Sequence, residues 1–282
     1  MTDFLPGLYV GDCLTGMRQG IRSGSVQLAC ADPPFNVDFD YHVEYTDNRS
    51  PVEYRAWCEE WMREVHRVLS PTGSFWLIIG NEWAADLQIL AREIGFHRRA
   101  TVAWYVTFGV NCAKNFSRSH VQLLYFTKHR TQFTFNADDP AVRVPSARQL
   151  IYNDKRANPK GRLPDDTWIL RPQDLPDGFD WSEDVWHISR VCGSFKERAG
   201  TPNQIPQMLL GRIVRLCSNP GDLVLDPMAG SGSSLIVAKK LGRQYIGFEQ
   251  SAKFAGIAEA RLQAVKPGDQ LDGSPPQGGM PP

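Results

Sequence analysis

Two short apolar runs end in the same dipeptide, and this pairing restricts the fold more than any other feature of the chain. Residues 25–31 (SVQLACA) run into Asp32-Pro33-Pro34-Phe35, and residues 223–226 (LVLD) run into Pro227-Met228-Ala229-Gly230-Ser231-Gly232. Short apolar runs stopped by turn-forming residues read as buried strands. Helix grammar surrounds the first of them. Ser50-Pro51-Val52-Glu53 is a capping box with proline at the first helical position. It predicts a helix to about Leu69, stopping before Ser70-Pro71-Thr72-Gly73. Residues 74–80 (SFWLIIG) predict the next buried strand, and Asn81 is placed to cap a second helix ending at Gly95. Strand–helix–strand–helix order marks an α/β chain with a parallel sheet. Ligands of such sheets sit outside the carboxyl ends of the strands. If both runs join one sheet, their loops open on one edge.

The pattern changes after His97. Residues 99–108 and 121–128 read as strands joined by a polar, basic loop, residues 109–119 (GVNCAKNFSRS). Residues 137–184 are rich in Pro, Asp and Arg with little periodicity, which suits an inserted functional region better than a plain loop. Residues 205–217 form an amphipathic pattern, and Asn219-Pro220-Gly221 turns the chain into the second apolar run. A helix over 233–241, a strand over 243–248 and a helix over 252–265 complete the predicted elements. The tail after Lys266 is Gly, Pro and polar residues and is expected to be disordered.

Several classes are excluded. No stretch of about 18 apolar residues exists, so no membrane span is expected. The start, MTDFLPGLYVGD, lacks a basic region followed by an apolar core, so no secretory signal is expected. Six cysteines are scattered without a CxxC pair and read as reduced cytosolic thiols, and no ligand spacing suggests a metal. The zero net charge hides a split. Residues 1–96 carry 7 basic and 14 acidic side chains, whereas residues 97–200 carry 16 and 11. A positive middle suits a polyanion.

Each loop has its own chemistry. Around Gly230 and Gly232 the backbone can pass close to a ligand, and the helix N-terminus beyond offers N–H groups to a carboxylate. Glu249, ending the next strand, can accept hydrogen bonds from a ribose diol. Neither G-x-G-x-x-G nor GxxxxGK[ST] is present. The unit fits a nucleoside carrying a carboxylate, such as S-adenosylmethionine. In the first loop, the Asp32 carboxylate and the Pro33 carbonyl can both accept from one NH₂ group, while Phe35 offers a flat face for a ring. That arrangement suits a conjugated exocyclic amine, whose lone pair is released when the nitrogen pyramidalises.

These residues resemble the DNA amino-methyltransferases, which carry an (Asp/Asn/Ser)-Pro-Pro-(Tyr/Phe/Trp) catalytic loop and a DPxxGSG cofactor loop. The catalytic loop comes first here, which resembles the β group, a circular permutation of the cofactor-first order. The resemblance covers residues 5–130 and 185–265. It implies a Rossmann-like α/β methyltransferase sheet with S-adenosyl-L-methionine as cofactor. It also implies a catalytic half over 1–130, an inserted target-recognition region over 131–184, a cofactor-binding half over 185–266 and a disordered tail over 267–282.

Carried over by position, Asp32, Pro33, Pro34 and Phe35 hold the target base, with Asp32 also facing the cofactor. Asp226, Met228, Gly230, Ser231 and Gly232 line the methionine end, and Glu249 binds the ribose. Asp12 and Cys13, within residues 8–14 (LYVGDCL), lie by the adenine, while Thr201, Asn203 and Gln204 touch the methionine moiety. Met228 replaces a frequent Phe, and Thr201 a frequent His. Lys114, Arg118, His120, Arg143, Arg148, Lys155 and Arg156 are the expected DNA contacts. The implied partner is double-stranded DNA, with a homodimer as a second expectation and a cytoplasmic, prokaryotic or phage-type setting.

The implied activity is site-specific transfer to an exocyclic amine after base flipping, as in restriction-modification. The acidic loop points to N6 of adenine; N4 of cytosine and a catalytically silent DNA-binding relative stay as alternatives. Methylation of RNA or of a glutamine amide is disfavoured by loop order. Ring-carbon methylation needs a cysteine nucleophile, and the loop offers an aspartate. Trp57, Trp61, Trp76 and Trp83 are read as packing residues.

Overall fold

The computed structural model describes residues 5–41, 43, 45, 47–105, 114, 119–144, 154–168, 198, 199 and 204–272. Its strands are β1 (Gly7–Val10), β2 (Val26–Ala31), β3 (Leu69–Ile79), β4 (His97–Tyr105), β5 (His120–Thr127), β6 (Thr167–Trp168), β7 (Leu223–Asp226) and β8 (Gln244–Glu249). The helices are α1 (Cys13–Gly20), α2 (Pro51–Val68), α3 (Asn81–Ile94), α4 (Gln207–Cys217), α5 (Ser233–Lys240) and α6 (Ala252–Gln263). Among the described residues the strands form one eight-stranded sheet in the order β1-β8-β7-β2-β3-β5-β4-β6. The five strands from β1 to β3 run parallel; β5 is antiparallel to both β3 and β4.

The two strands that end in Asp-Pro are neighbours. Leu28 pairs with Val224 and Ala29 with Leu225, in parallel. Both loops therefore leave the same edge of the same sheet side by side. Helices cover both faces because the inner strands are apolar on both. Ala29 and Ala31 of β2 and Phe75, Leu77 and Ile79 of β3 pack with α1, α2 and α3. Leu28, Cys30, Trp76 and Ile78 pack with α4 and α5 on the other side. Fully burying a large side chain such as Phe75 stabilises the fold by about 1.5–3 kcal/mol.

Local sequence explains the helix ends. The capping box of α2 is formed, with Glu53 N donating to Ser50 Oγ and Ser50 N to Glu53 Oε2. Gly95 ends α3 at φ 115°, a left-handed position that suits glycine. Asn81 does not cap α3. Gly80 occupies the cap without a side-chain bond, and Asn81 Oδ1 accepts from Gln122 Nε2 on β5 instead.

Three other expectations differ from the structure. No helix is among the predicted elements where α1 forms; Asp12 starts it by accepting from Thr15 N and Oγ1. Part of the segment after residue 137 is built into the fold. Val142 and Val144 are buried, Val144 bridges to Arg162, and β6 extends the sheet beside β4. The chain after Lys266 also packs over the described residues 267–272. Leu271 is buried against α4, where a β-carbon on Gly211 would come 2.3 Å from Leu271 Cδ1. Lys240 Nζ donates to Gln270 O, and Gln207 Nε2 to Asp272 Oδ2. One apolar side chain and two polar anchors override the polar composition there. No helix among the described residues is long and apolar enough to cross a membrane.

Candidate active site

A pocket opens where β2, β7 and β8 end. Its lining includes Asp32, Pro33, Pro34 and Phe35 from the first loop and residues 226–231 from the second. Asp12, Cys13, Gln204 and Glu249 also line it. The expected catalytic and cofactor residues thus share one cavity wherever they are described, except Gly232, which caps α5 just behind it. Thr201 and Asn203 lie outside the described residues.

The glycine loop is held by its own acids. Asp226 Oδ1 accepts from Met228 N at 3.0 Å, and Asp226 Oδ2 accepts from the Ser234 hydroxyl. Glu249 bridges two elements, accepting from Gly230 N and Ser251 N, each at 2.8 Å. Gly230 has φ 51°, and a β-carbon there would meet nothing within 4 Å, so open space lies beside the loop backbone. Gly232 has φ 75°, and a β-carbon would strike Ala258 at 2.8 Å, so α6 requires glycine there. Behind the loop, Arg261 donates to Ser231 O and Ser233 Oγ.

The first loop is fixed differently. The Tyr54 hydroxyl on α2 donates to Pro34 O at 2.7 Å. A β-carbon at Gly80 would lie 3.2 Å from the Phe35 ring, so the end of β3 closes against that ring. Asp32 is partly buried, and no hydrogen bond reaches its carboxyl among the described residues. Desolvation, and then the neighbouring Asp226 charge, hold that carboxyl well above the usual carboxylate range. Burial also raises Asp226, to about 6, against the hydrogen bonds from Ser234 and Met228. The two cysteines in the pocket stay thiols. Burial raises Cys13 to about 12 and Cys30 well above its ordinary value. Neither supplies the thiolate that ring-carbon chemistry needs.

Sequence reasoning missed one wall. After Phe35 the chain makes a strap back to α2, and this strap adds Tyr41, Tyr45 and Arg49 to the lining. Asp47 organises it, accepting from Asn36 N, Val37 N and Phe39 N at 2.6, 3.0 and 3.2 Å. The available signal was Asn36 and Asp38, residue types that tolerate the left-handed φ of 55° and 61° they adopt. Trp57, expected to be packing alone, also lines the pocket, whereas Trp61 and Trp76 are core residues as expected.

The expected DNA contacts fall into three groups. Lys114 is exposed, and His120 begins β5 at the sheet edge that carries the two Asp-Pro loops. Lys155 and Arg156 are exposed, with Arg156 paired to Asp154 at 2.9 Å. Arg143 is instead spent on the fold. It donates to Ala137 O and Gly161 O, and its side chain is only 12% exposed. The basic residue was read from charge alone, and backbone carbonyls of the inserted segment claimed it. Arg118 and Arg148 lie outside the described residues.

Comparison with known proteins agrees with this geometry. Residues 26–260 match the family model described as DNA methylase. The type II methyltransferase M.HpaI of Haemophilus parainfluenzae is 32% identical over 257 residues, covering 90% of this chain and 74% of that one. The DNA adenine methyltransferase YhdJ of Escherichia coli K12 is 31% identical over 258 residues, covering 90% and 82%. The solved structure of the PvuII DNA methyltransferase, described as cytosine-N4-specific, superposes with a TM-score of 0.65 at 18% identity, covering 93% of this chain and 87% of that one. With its family model spanning both Asp-Pro loops, this chain belongs to the DNA methylase family.

Proposed function

We propose that the chain methylates N6 of adenine in double-stranded DNA, within the cytoplasm, as a site-specific modification enzyme. One observation carries the reading. Two Asp-Pro loops on adjacent parallel strands open into one pocket, and the acid of the first has no bond among the described residues. S-adenosyl-L-methionine, the methyl donor, supplies an electrophilic methyl group on a sulfonium. The pocket suits it chemically. Asp12, Asp32, Asp226 and Glu249 all line it, which favours a ligand with positively charged sulfonium and ammonium groups. The open space beside Gly230 admits a ligand against the backbone, and Glu249, fixed by two amides, presents a carboxylate suited to ribose hydroxyls.

The chain's own residues bind and orient the target. Asp32 and the Pro33 carbonyl accept hydrogen bonds from the target NH₂, turning its lone pair out of conjugation. Phe35 stacks on the flipped base, returning about 1–3 kcal/mol of the unstacking cost. The Asp32 carboxyl moves back toward its charged, accepting form when a cation shares the pocket. The acidic loop and the likeness to an adenine methyltransferase at 31% identity support adenine. N4 of cytosine would use the same acceptors.

The test is direct. Plasmid DNA is treated with protein and donor, digested to nucleosides and analysed by mass spectrometry. N6-methyladenine is the expected product. N4-methylcytosine alone would change the base and keep the site, and C5-methylcytosine would overturn the mechanism.

A further inference from the structure

Arg49 is the one cation among the described residues lining the pocket, beside four carboxylates. It pairs with none of them. No hydrogen bond or ion pair engages its guanidinium among the described residues. Its guanidinium carbon instead lies 4.6 Å from the centre of the Trp57 ring. Stacking occupies the flat face of a guanidinium and leaves its in-plane N–H groups for an anion.

The position of Arg49 is set by the catalytic loop. Asn36, the residue after Phe35, clamps its backbone at both ends. Arg49 N donates to Asn36 Oδ1 at 2.6 Å, and Asn36 Nδ2 donates to Arg49 O at 2.9 Å. Asp47 ties the same Asn36 through its backbone N–H. Arg49 is therefore anchored beside Phe35, on the side of the pocket assigned to the target base. The glycine loop and the start of α5, which suit the donor's carboxylate, come from β7.

We infer that Arg49, stacked on Trp57, binds the DNA phosphate beside the flipped nucleotide. A base drawn into this cleft brings its flanking phosphodiesters to the mouth, where the acidic lining would repel them. A preoriented guanidinium there offsets that repulsion and can bind phosphate bidentately. The inference rests on the DNA-methylation reading, but its test measures binding rather than product.

The experiment uses a duplex carrying the site at which the enzyme is found to methylate DNA. Dissociation constants are measured across a salt series for the wild type, Arg49→Ala and Arg49→Lys. Each is also measured with an uncharged methylphosphonate at the linkages flanking the target. Arg49→Ala is expected to weaken binding by about tenfold or more and to flatten the log–log salt slope by about 0.9. Arg49→Lys should keep the slope. Removing the phosphate charge should weaken the wild type but add nothing to the Arg49→Ala loss, and affinity for the donor alone should stay unchanged. Weaker donor binding with an unchanged salt slope would assign Arg49 to the donor carboxylate and overturn the inference. So would unchanged DNA binding, or losses that simply add. A wild type that methylates no DNA site would strike the proposed function instead.

Discussion

The loops after β2 and β7 begin alike and are held oppositely. Both strands end in Asp-Pro, and both lie side by side at the same sheet edge. Asp226 is consumed by the fold, through Met228 N and the Ser234 hydroxyl. Asp32 carries no such bond, and desolvation raises its carboxyl well above the ordinary range. The difference arises from the path the chain takes after each dipeptide. Pro227 leads through glycines into α5, whose first turn brings Ser234 back onto the acid. Pro33-Pro34-Phe35 leads away into the Asp47-held strap, so no described hydrogen bond returns to the Asp32 carboxyl. We read the bonded acid as a lock and the unbonded acid as a tool, a division set by the direction the chain takes next.

This contrast breaks if Asp32 proves dispensable. Asp32→Ala should cut turnover by about 10²–10³, or roughly 2.7–4 kcal/mol, the range for losing one preorganised polar contact in a transition state. The variant should fold as well as the wild type, because no described hydrogen bond is lost. Single-turnover methylation at saturating donor, with a thermal melt alongside, checks both halves. Near-normal turnover would remove Asp32 from the chemistry.

The second test reads the lock through pH. The folded Asp226 titrates near 6, above its ordinary 3.8. A carboxyl raised by folding contributes stability that is fully present below the unfolded value and is lost as pH rises through the folded one. The full difference is about 3 kcal/mol, roughly half of it gained on going from neutral pH to pH 5. Ligand-free wild type should therefore gain stability relative to Asp226→Asn as pH falls from 7.5 to 5, measured by urea unfolding. Parallel curves would mean that folding leaves the titration of Asp226 unshifted.

Much of this was legible in the sequence. The strand runs, the capping box at Ser50 and the glycine loop are local patterns, and each formed within a few residues of its expected place. Their meeting at one pocket was legible too, because an acid at a strand's carboxyl end faces the ligand edge whatever the rest of the chain does. The strap was not legible. It has no periodicity, and its shape comes from one carboxylate, Asp47, reaching back 8–11 residues to three amides. The burial of Leu271 was invisible for a similar reason, since it depends on the space above Gly211. The role of Arg143 was misread because charge content does not reveal which carbonyls lie within reach.

The smallest effect is expected at Ser234, and it sharpens the contrast most. Ser234→Ala removes one of the two bonds on Asp226 and nothing from Asp32. It should cost about 1 kcal/mol of stability at neutral pH, where the lost partner was charged or nearly so. Because that hydroxyl holds the Asp226 carboxyl down, its loss should move the titration of Asp226 upward from about 6. In the Asp226→Asn background the same substitution should cost less, since the bond it breaks is no longer charge-assisted. A double-mutant cycle would thus give a coupling energy for Ser234 with Asp226, whereas Ser234 with Asp32 should be additive. Turnover at saturating donor should be nearly unchanged in Ser234→Ala. A rate loss as deep as that of Asp32→Ala would mean that both loops carry the reaction, and the division into lock and tool would fail.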